Sequence, residues 1–186
     1  MKKKILLLCL CLIGAVAFTF AGCDSCGNDR VSKYVKSMRS SADRAVTVNA
    51  VVTVTDNGVT VYTLTRNIEV DLETRTASVS DTKVTLSENF ETATSSTTVP
   101  AEKVNGNSLI GIKLTKKLVS SYEITDGDLT AVVAQKKIPE VLSREVSASS
   151  DMTLSVDFEN GNLVEASYSY INASSRTVSV TVTYGY

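Results

Sequence analysis

Few side chains in this 186-residue chain could do covalent or metal chemistry. Four cysteines occur: Cys9 and Cys11 sit inside an apolar run, while Cys23 and Cys26 form a C-x-x-C spacing. That spacing suits a redox pair or half of a zinc site. A redox pair wants a βαβ setting, and zinc wants further thiolates or imidazoles. No cysteine follows Cys26 and the chain has no histidine. The missing histidine removes the commonest general base near neutral pH and the commonest metal ligand. It also excludes Ser-His-Asp and Cys-His nucleophile systems.

The carboxylates remain. The turns Asp126-Gly127-Asp128 and Asp56-Asn57-Gly58 are acidic. Calcium takes about six to eight oxygen ligands, more than either turn supplies. Ordinary turn chemistry accounts for both. Glu69, Asp71, Asp157 and Glu165 fall on strand-like segments. A pair of such groups could hydrolyse a glycosidic bond, but these lie mostly on solvent faces or strand ends. The expectation is a protein that is not an enzyme and needs no metal or cofactor.

The one segment with assignable chemistry lies at residues 1–23. Lys2, Lys3 and Lys4 precede an apolar run over 5–18, and smaller residues lead to Phe20-Ala21-Gly22-Cys23. This is the layout of a secretory signal. The run is shorter than the roughly 20 residues that span a bilayer core. Ala21-Gly22 directly before Cys23 resembles a bacterial lipobox, with Phe20 where an aliphatic residue is usual. The resemblance implies a lipoprotein, diacylated on the Cys23 thiol, cut before Cys23 and palmitate-bearing. Residues 1–22 are then a signal peptide, 23–30 a polar tether, and 31–186 a single β-rich domain. The expected location is the extracytoplasmic face of a cell membrane, with the lipid on Cys23 as the membrane partner. The leader takes its three lysines with it, so acidic side chains outnumber basic ones in what remains, and no basic stripe appears. Nucleic-acid binding by phosphate neutralisation is therefore not expected.

The elements that would position any site are read from periodicity. Val31, Tyr34, Val35 and Met38 recur at i, i+3, i+4 and i+7, an amphipathic helix over 31–42. From Ala45 the period becomes two, and Asp56-Asn57-Gly58 marks a hairpin. A return strand covers 59–71 and a weaker third strand 75–80, which 83–86 extends. Residues 88–106, rich in Ser and Thr and containing Pro100, read as a long loop with a helical turn near 87–92. Residues 109–118 fit strand or helix alike. Two strands flank the turn at 126–128, and 135–144 reads as a short helix with Pro139 in its first turn. Residues 152–186 alternate through three strands, with turns at 159–162 and 172–176. The fold class is mainly β (α+β): a curved antiparallel sheet or half-barrel of about eight or nine strands with one or two short helices. So few helices cannot cover that many one-sided strands, so the sheet is expected to curl into a half-barrel or small barrel.

Tyr62, Tyr168, Tyr170, Tyr184 and Tyr186 fall on the apolar faces of their strands, and Arg66 sits between Leu64 and Ile68 on such a face. Tyrosines there serve as amphipathic core residues. They could instead line a cavity for an apolar ligand, with Arg66 meeting an anionic headgroup. The candidate ligand-binding residues are Tyr62, Arg66, Tyr168, Tyr170 and Tyr184. The leader, the N-terminal helix, the curved strands and a last strand reading VTVTYGY (180–186) together resemble the LolA/LppX-like half-barrel lipoproteins and small lipoproteins of low-GC bacteria. The resemblance has no diagnostic motif and transfers no functional residue. It implies a membrane-anchored lipoprotein that binds or carries an apolar or lipid-like ligand. The alternative is an envelope interaction or scaffold lipoprotein, partnered by an envelope protein and working through its Ser/Thr-rich outer face or the 88–106 segment.

Replacing Cys23→Ser in the full chain should release the protein to the soluble fraction or leave the precursor uncut. Metabolic labelling with a fatty acid checks this; unchanged label on the variant contradicts the anchor.

Overall fold

The computed structural model describes residues 30–86, 91–100 and 112–186. Cys23, Cys26 and the leader lie outside them. Helix α1 (Arg30–Ala42) buries Val31, Val35, Met38 and Ala42. This is the stripe its spacing predicts. Nine strands follow among the described residues: β1 (Thr47–Asp56), β2 (Val59–Asp71), β3 (Thr76–Thr85), β4 (Glu91–Pro100), β5 (Ser121–Thr125), β6 (Asp128–Val133), β7 (Met152–Glu159), β8 (Asn162–Ile171) and β9 (Thr177–Gly185). A 3₁₀ turn (Gln135–Lys137) and the one-turn helix α2 (Ile138–Val141) sit between β6 and β7.

All nine strands form one antiparallel sheet in the order β4-β3-β2-β1-β9-β8-β7-β6-β5. The chain thus makes two meanders, and the first and last strands join them at the centre. The sheet is unclosed, so the small-barrel alternative does not hold. One reason is cover. On the β9 side, α1, α2 and the stretch 112–118 supply Met38, Ile138, Val141, Leu142, Ile112, Leu114 and Leu118, all buried against the sheet. That stretch is neither strand nor helix; Lys113 N–H donates to the Val141 carbonyl at 2.7 Å.

One further expectation is corrected. Residues 91–100 are strand β4, not loop or helical turn; 87–90 and 101–111 lie outside the described residues. Thr92, Thr94, Thr97, Thr98 and Val99 are β-branched and suit a pleated surface. Pro100 is accommodated because β4 is the edge strand and Pro100 ends it. The third strand is continuous from Thr76 to Thr85.

Hairpin chemistry sets the register. Asn57 and Gly58 have φ of 49° and 81°, and Asn160 and Gly161 have 51° and 78°. Positive φ at both central positions is the type I′ turn, whose twist matches that of the strands. Next to each turn a bulge shifts the pairing, at Val54/Thr55 and at Asp157/Phe158. Gly185 meets its neighbour differently: a Cβ there would run into the Thr47 side chain of β1.

Residues paired directly across strands share a face. Leu64, Val52, Val180, Tyr168, Leu154 and Ala131 form one such row, and Ala50, Val182, Ala166, Val156 and Leu129 another. These make the apolar face. The opposite face carries Thr82, Thr65, Val51, Thr181, Ser167, Ser155 and Thr130 in one row.

A closed hydrogen-bond ring ties the C-terminus to α1 and β8. Leu163 N–H donates to Ser41 Oγ at 2.8 Å, the Ser41 hydroxyl lies 2.7 Å from Tyr186 Oη, and Tyr186 O–H donates to the Leu163 carbonyl at 2.9 Å. Ser41 is the buried polar residue of the described core. By contrast, the Tyr184 hydroxyl is buried with no partner. Leaving a buried polar atom unsatisfied costs about 1–3 kcal/mol. Tyr186→Phe should therefore destabilise by about 1–3 kcal/mol, while Tyr184→Phe should be neutral or stabilising. Equilibrium denaturation of both variants checks the contrast.

Candidate binding faces

The apolar face receives all five residues singled out by the sequence, but does not gather them into one pocket among the described residues. Tyr170 and Tyr184 are buried in the core, at 6% and 7% exposure. Tyr62 and Tyr168 are half-buried. Tyr62 lies in a row with Val54, Val178 and Tyr170, three strands apart. At about 4.8 Å per strand the two tyrosines stand roughly 14 Å apart. Tyr186 lies at the exposed end of the chain, its hydroxyl held in the ring with Ser41.

Arg66 is paired. Its Nε and Nη2 donate to the two carboxylate oxygens of Asp81 at 2.7 and 2.8 Å, a two-pronged bridge across β2 and β3. Such forked pairs fix geometry as well as charge. Asp81 escaped the sequence reading because it falls in the supposed gap of the third strand. One row further along, Lys83 Nζ stands 5.3 Å from the centre of the Tyr62 ring, in cation–π range.

On the covered half, burial sets the chemistry of the phenols. Tyr34 O–H donates to the Val156 carbonyl at 3.0 Å, and its ring meets Phe158 edge-on at 5.5 Å. Burial pushes the Tyr34 phenol far above its ordinary pKa, and the carboxylates of Asp128 and Asp157 add to this. Tyr168 and Tyr170 are also raised by burial, against the opposing charge of Arg144. Arg144 donates to Tyr168 Oη at 3.3 Å. Tyr184 is raised well above its ordinary value, again by burial first and then by Tyr186.

The polar face holds two depressions among the described residues. A trough of about 380 Å³ crosses β6 to β9, walled by the side chains of Thr130, Thr153, Ser155, Ser167, Ser169, Ser179 and Thr181. Leu154, Tyr168 and Val180 complete its lining, and no charged residue is among them. A second groove of about 280 Å³ lies across β2, β1 and β9, lined in part by Thr47, Asn49, Asn67, Glu69 and Thr183. Asn49 donates through Nδ2 to Asn67 Oδ1 within it. The signal for the trough was present as alternating Ser and Thr in residues 153–155, 167–169 and 179–181. Its floor depends on the strand order.

The acidic turns serve the fold. Asp56 is bridged by Arg176 at 3.1 Å, and Asp128 Oδ1 accepts the Phe158 N–H at 2.8 Å. The register sets Asp157 directly opposite Glu165, and Glu69 opposite Thr47. Among the described residues no group of three or more Asp, Glu, Cys or His could hold a metal ion. No helix among them is long and apolar enough to cross a membrane.

No protein-family model matches the chain, and no curated protein matches it. Among solved structures, a redesigned β-barrel, mFAP1, bound to DFHBI aligns at 10% identity over 77% of this chain and 99% of its own, with a TM-score of 0.24. Its companion mFAP0, also bound to DFHBI, aligns at 9% identity over 75% and 96%, with a TM-score of 0.23. A bifunctional dehydratase-cyclase domain of ambruticin biosynthesis aligns at 8% over 83% and 80%, with a TM-score of 0.23. Superpositions this loose carry no argument about what the chain binds or does.

The raised phenols give a pH dependence. A pKa raised above the unfolded value of about 10 contributes stability that is fully present below that pH and lost as pH rises through the folded value. The protein should therefore lose its sheet circular dichroism in strong alkali, with Tyr34, Tyr168, Tyr170 and Tyr184 ionising as it unfolds. A tyrosinate absorbance titration tests this. Ionisation of Tyr34, Tyr168, Tyr170 and Tyr184 near pH 10 with the sheet intact would refute it.

Proposed function

We propose that the protein is an extracytoplasmic lipoprotein, held at a membrane by acylated Cys23, whose β-rich body is a non-enzymatic binding module for a neutral, hydroxyl-rich polymer of the cell envelope. One observation carries this reading: the trough on β6 to β9 is walled by seven Ser and Thr side chains and by no charge. A hydroxyl both donates and accepts, so an array of them matches a ligand bearing the same groups. A charged ligand would lose hydration there without gaining an ion pair. The rows repeat at about 4.8 Å across the strands, which favours an extended ligand over a compact one.

A second reading, carriage of an apolar or lipid-like ligand, is favoured by a different observation. Ala50, Val52, Tyr62 and Tyr168 are only partly buried on the apolar face, with Lys83 and Arg144 beside the two tyrosines. Mass spectrometry of lipid extracted from the purified protein separates the two readings.

Detergent-solubilised full chain should co-sediment with insoluble cell-wall glycan. Ser155→Ala/Ser167→Ala/Thr181→Val removes three adjacent hydroxyls at near-constant shape. At about 0.5–1.5 kcal/mol for each lost hydrogen bond, binding should fall at least about tenfold. A wild-type protein that stays in the supernatant, or a variant that pellets equally well, overturns the reading.

A further inference from the structure

The two edges of the sheet are built differently. β5 is five residues long and carries Glu123 at its centre. β4 is ten residues long, and residues 91–98 are all exposed. Between Glu91 and Pro100 it has no charge, and its pairing with β3 runs through ten consecutive residues without a bulge. Edges are normally guarded by lysine, proline, bulges or shortness, because their outward N–H and C=O groups template another strand. Along its central eight residues β4 has none of these guards. Among the described residues only β3 pairs with it.

We propose that β4 is a dimerisation edge, at which a second copy of this chain adds its own β4 antiparallel and continues the sheet. The argument for a second copy is self-complementarity. Backbone groups along a strand point alternately toward each neighbour, so a two-fold axis between identical antiparallel edges must pass through a residue. The middle of β4 offers Ser95 and Ser96. With the axis on Ser96, Ser95 faces Thr97, Thr94 faces Thr98 and Ala93 faces Val99. With it on Ser95, Thr94 faces Ser96, Ala93 faces Thr97 and Thr92 faces Thr98. In either register two of the three named pairs set hydroxyl against hydroxyl, a favourable cross-strand pairing. Glu91 faces Val99 or falls beyond β4, and never meets its own copy. The interface is closed and isologous, so it stops at two.

Cross-linking tests the register as well as the contact. Cα atoms of directly opposed residues stand about 4.5–5.5 Å apart, within the range a disulfide spans. Full-length chain in a Cys26→Ser background should form a disulfide dimer when either Ser95→Cys or Ser96→Cys is introduced. Whichever residue lies on the axis should cross-link most. Thr92→Cys and Glu123→Cys should give no more than the parent. In detergent, sedimentation should give twice the chain mass for the wild type and the single mass for Ser95→Lys/Ser96→Lys, with circular dichroism unchanged. The proposal is overturned by a monomeric wild type, by equal cross-linking from the Glu123→Cys edge, or by a cross-linked species whose mass is not twice that of the chain.

Discussion

The pairing of β1 with β9 is the constraint on which the rest depends. Nine consecutive pairs, from Thr47–Gly185 to Thr55–Thr177, join strands that lie more than a hundred residues apart in the chain. The meander β1–β4 is held to the meander β5–β9 through that ladder. The join brings Val48 beside Tyr184 and Val54 beside Val178, so the apolar faces of the two meanders become one surface. Closing so long a loop has an entropic cost that grows only with the logarithm of its length. Nine ladder pairs and a shared apolar surface offset it. The Leu163–Ser41–Tyr186 ring reinforces the same junction from the helix side, and the absent side chain at Gly185 lets β9 lie close to Thr47.

Given that join, the halves divide the work. Over β6 to β9 the apolar face is covered, and Met152, Leu154, Val156, Leu163 and Val133 are almost wholly buried. Over β1 to β3 the same face carries Arg66 with Asp81 and Lys83 with Tyr62, polar groups satisfied across neighbouring strands. Buried charge is tolerated only when paired. A bidentate bridge at about one-fifth side-chain exposure meets that condition while leaving some water access. The covered half holds most of the described core. Its back is the hydroxyl trough, so the candidate site lies directly behind the most deeply buried strands.

Much of this architecture was legible because local rules agree with one another. The stripe Val31, Tyr34, Val35 and Met38 specified a helix and its buried side, and α1 runs Arg30–Ala42. Asn57-Gly58 and Asn160-Gly161 specified hairpins, and the alternation of 152–186 specified three strands and their faces. What escaped was non-local. Nothing near residue 47 announces residue 185. β4 was hidden because Ser, Thr and one proline read as loop when no hydrophobic face is present; its order comes from the ladder with β3. The partner of Arg66 was hidden for the same reason, since Asp81 comes opposite only when β3 is continuous. Of the site, residue types were visible and their assembly was not. Alternate Ser and Thr marked outward positions, but a trough exists only once β6, β7, β8 and β9 lie side by side.

The same logic explains why the outer strands differ so much. In an unclosed sheet every strand but two is protected by pairing, and only closure removes edges altogether. Here β5 is short, carries a charge and lies in the half where the face is covered. β4 lies farthest from α1 and α2 in strand order, and residues 91–98 are exposed. A ten-residue strand that gains so little from side-chain burial has the ladder as its main source of stability. Backbone pairing on one side leaves half of that ladder unused. A second strand on the free side adds hydrogen bonds without requiring any new apolar contact, which a strand of Ser and Thr could not provide. The composition that makes β4 a poor core strand is therefore what suits it to pairing with another chain.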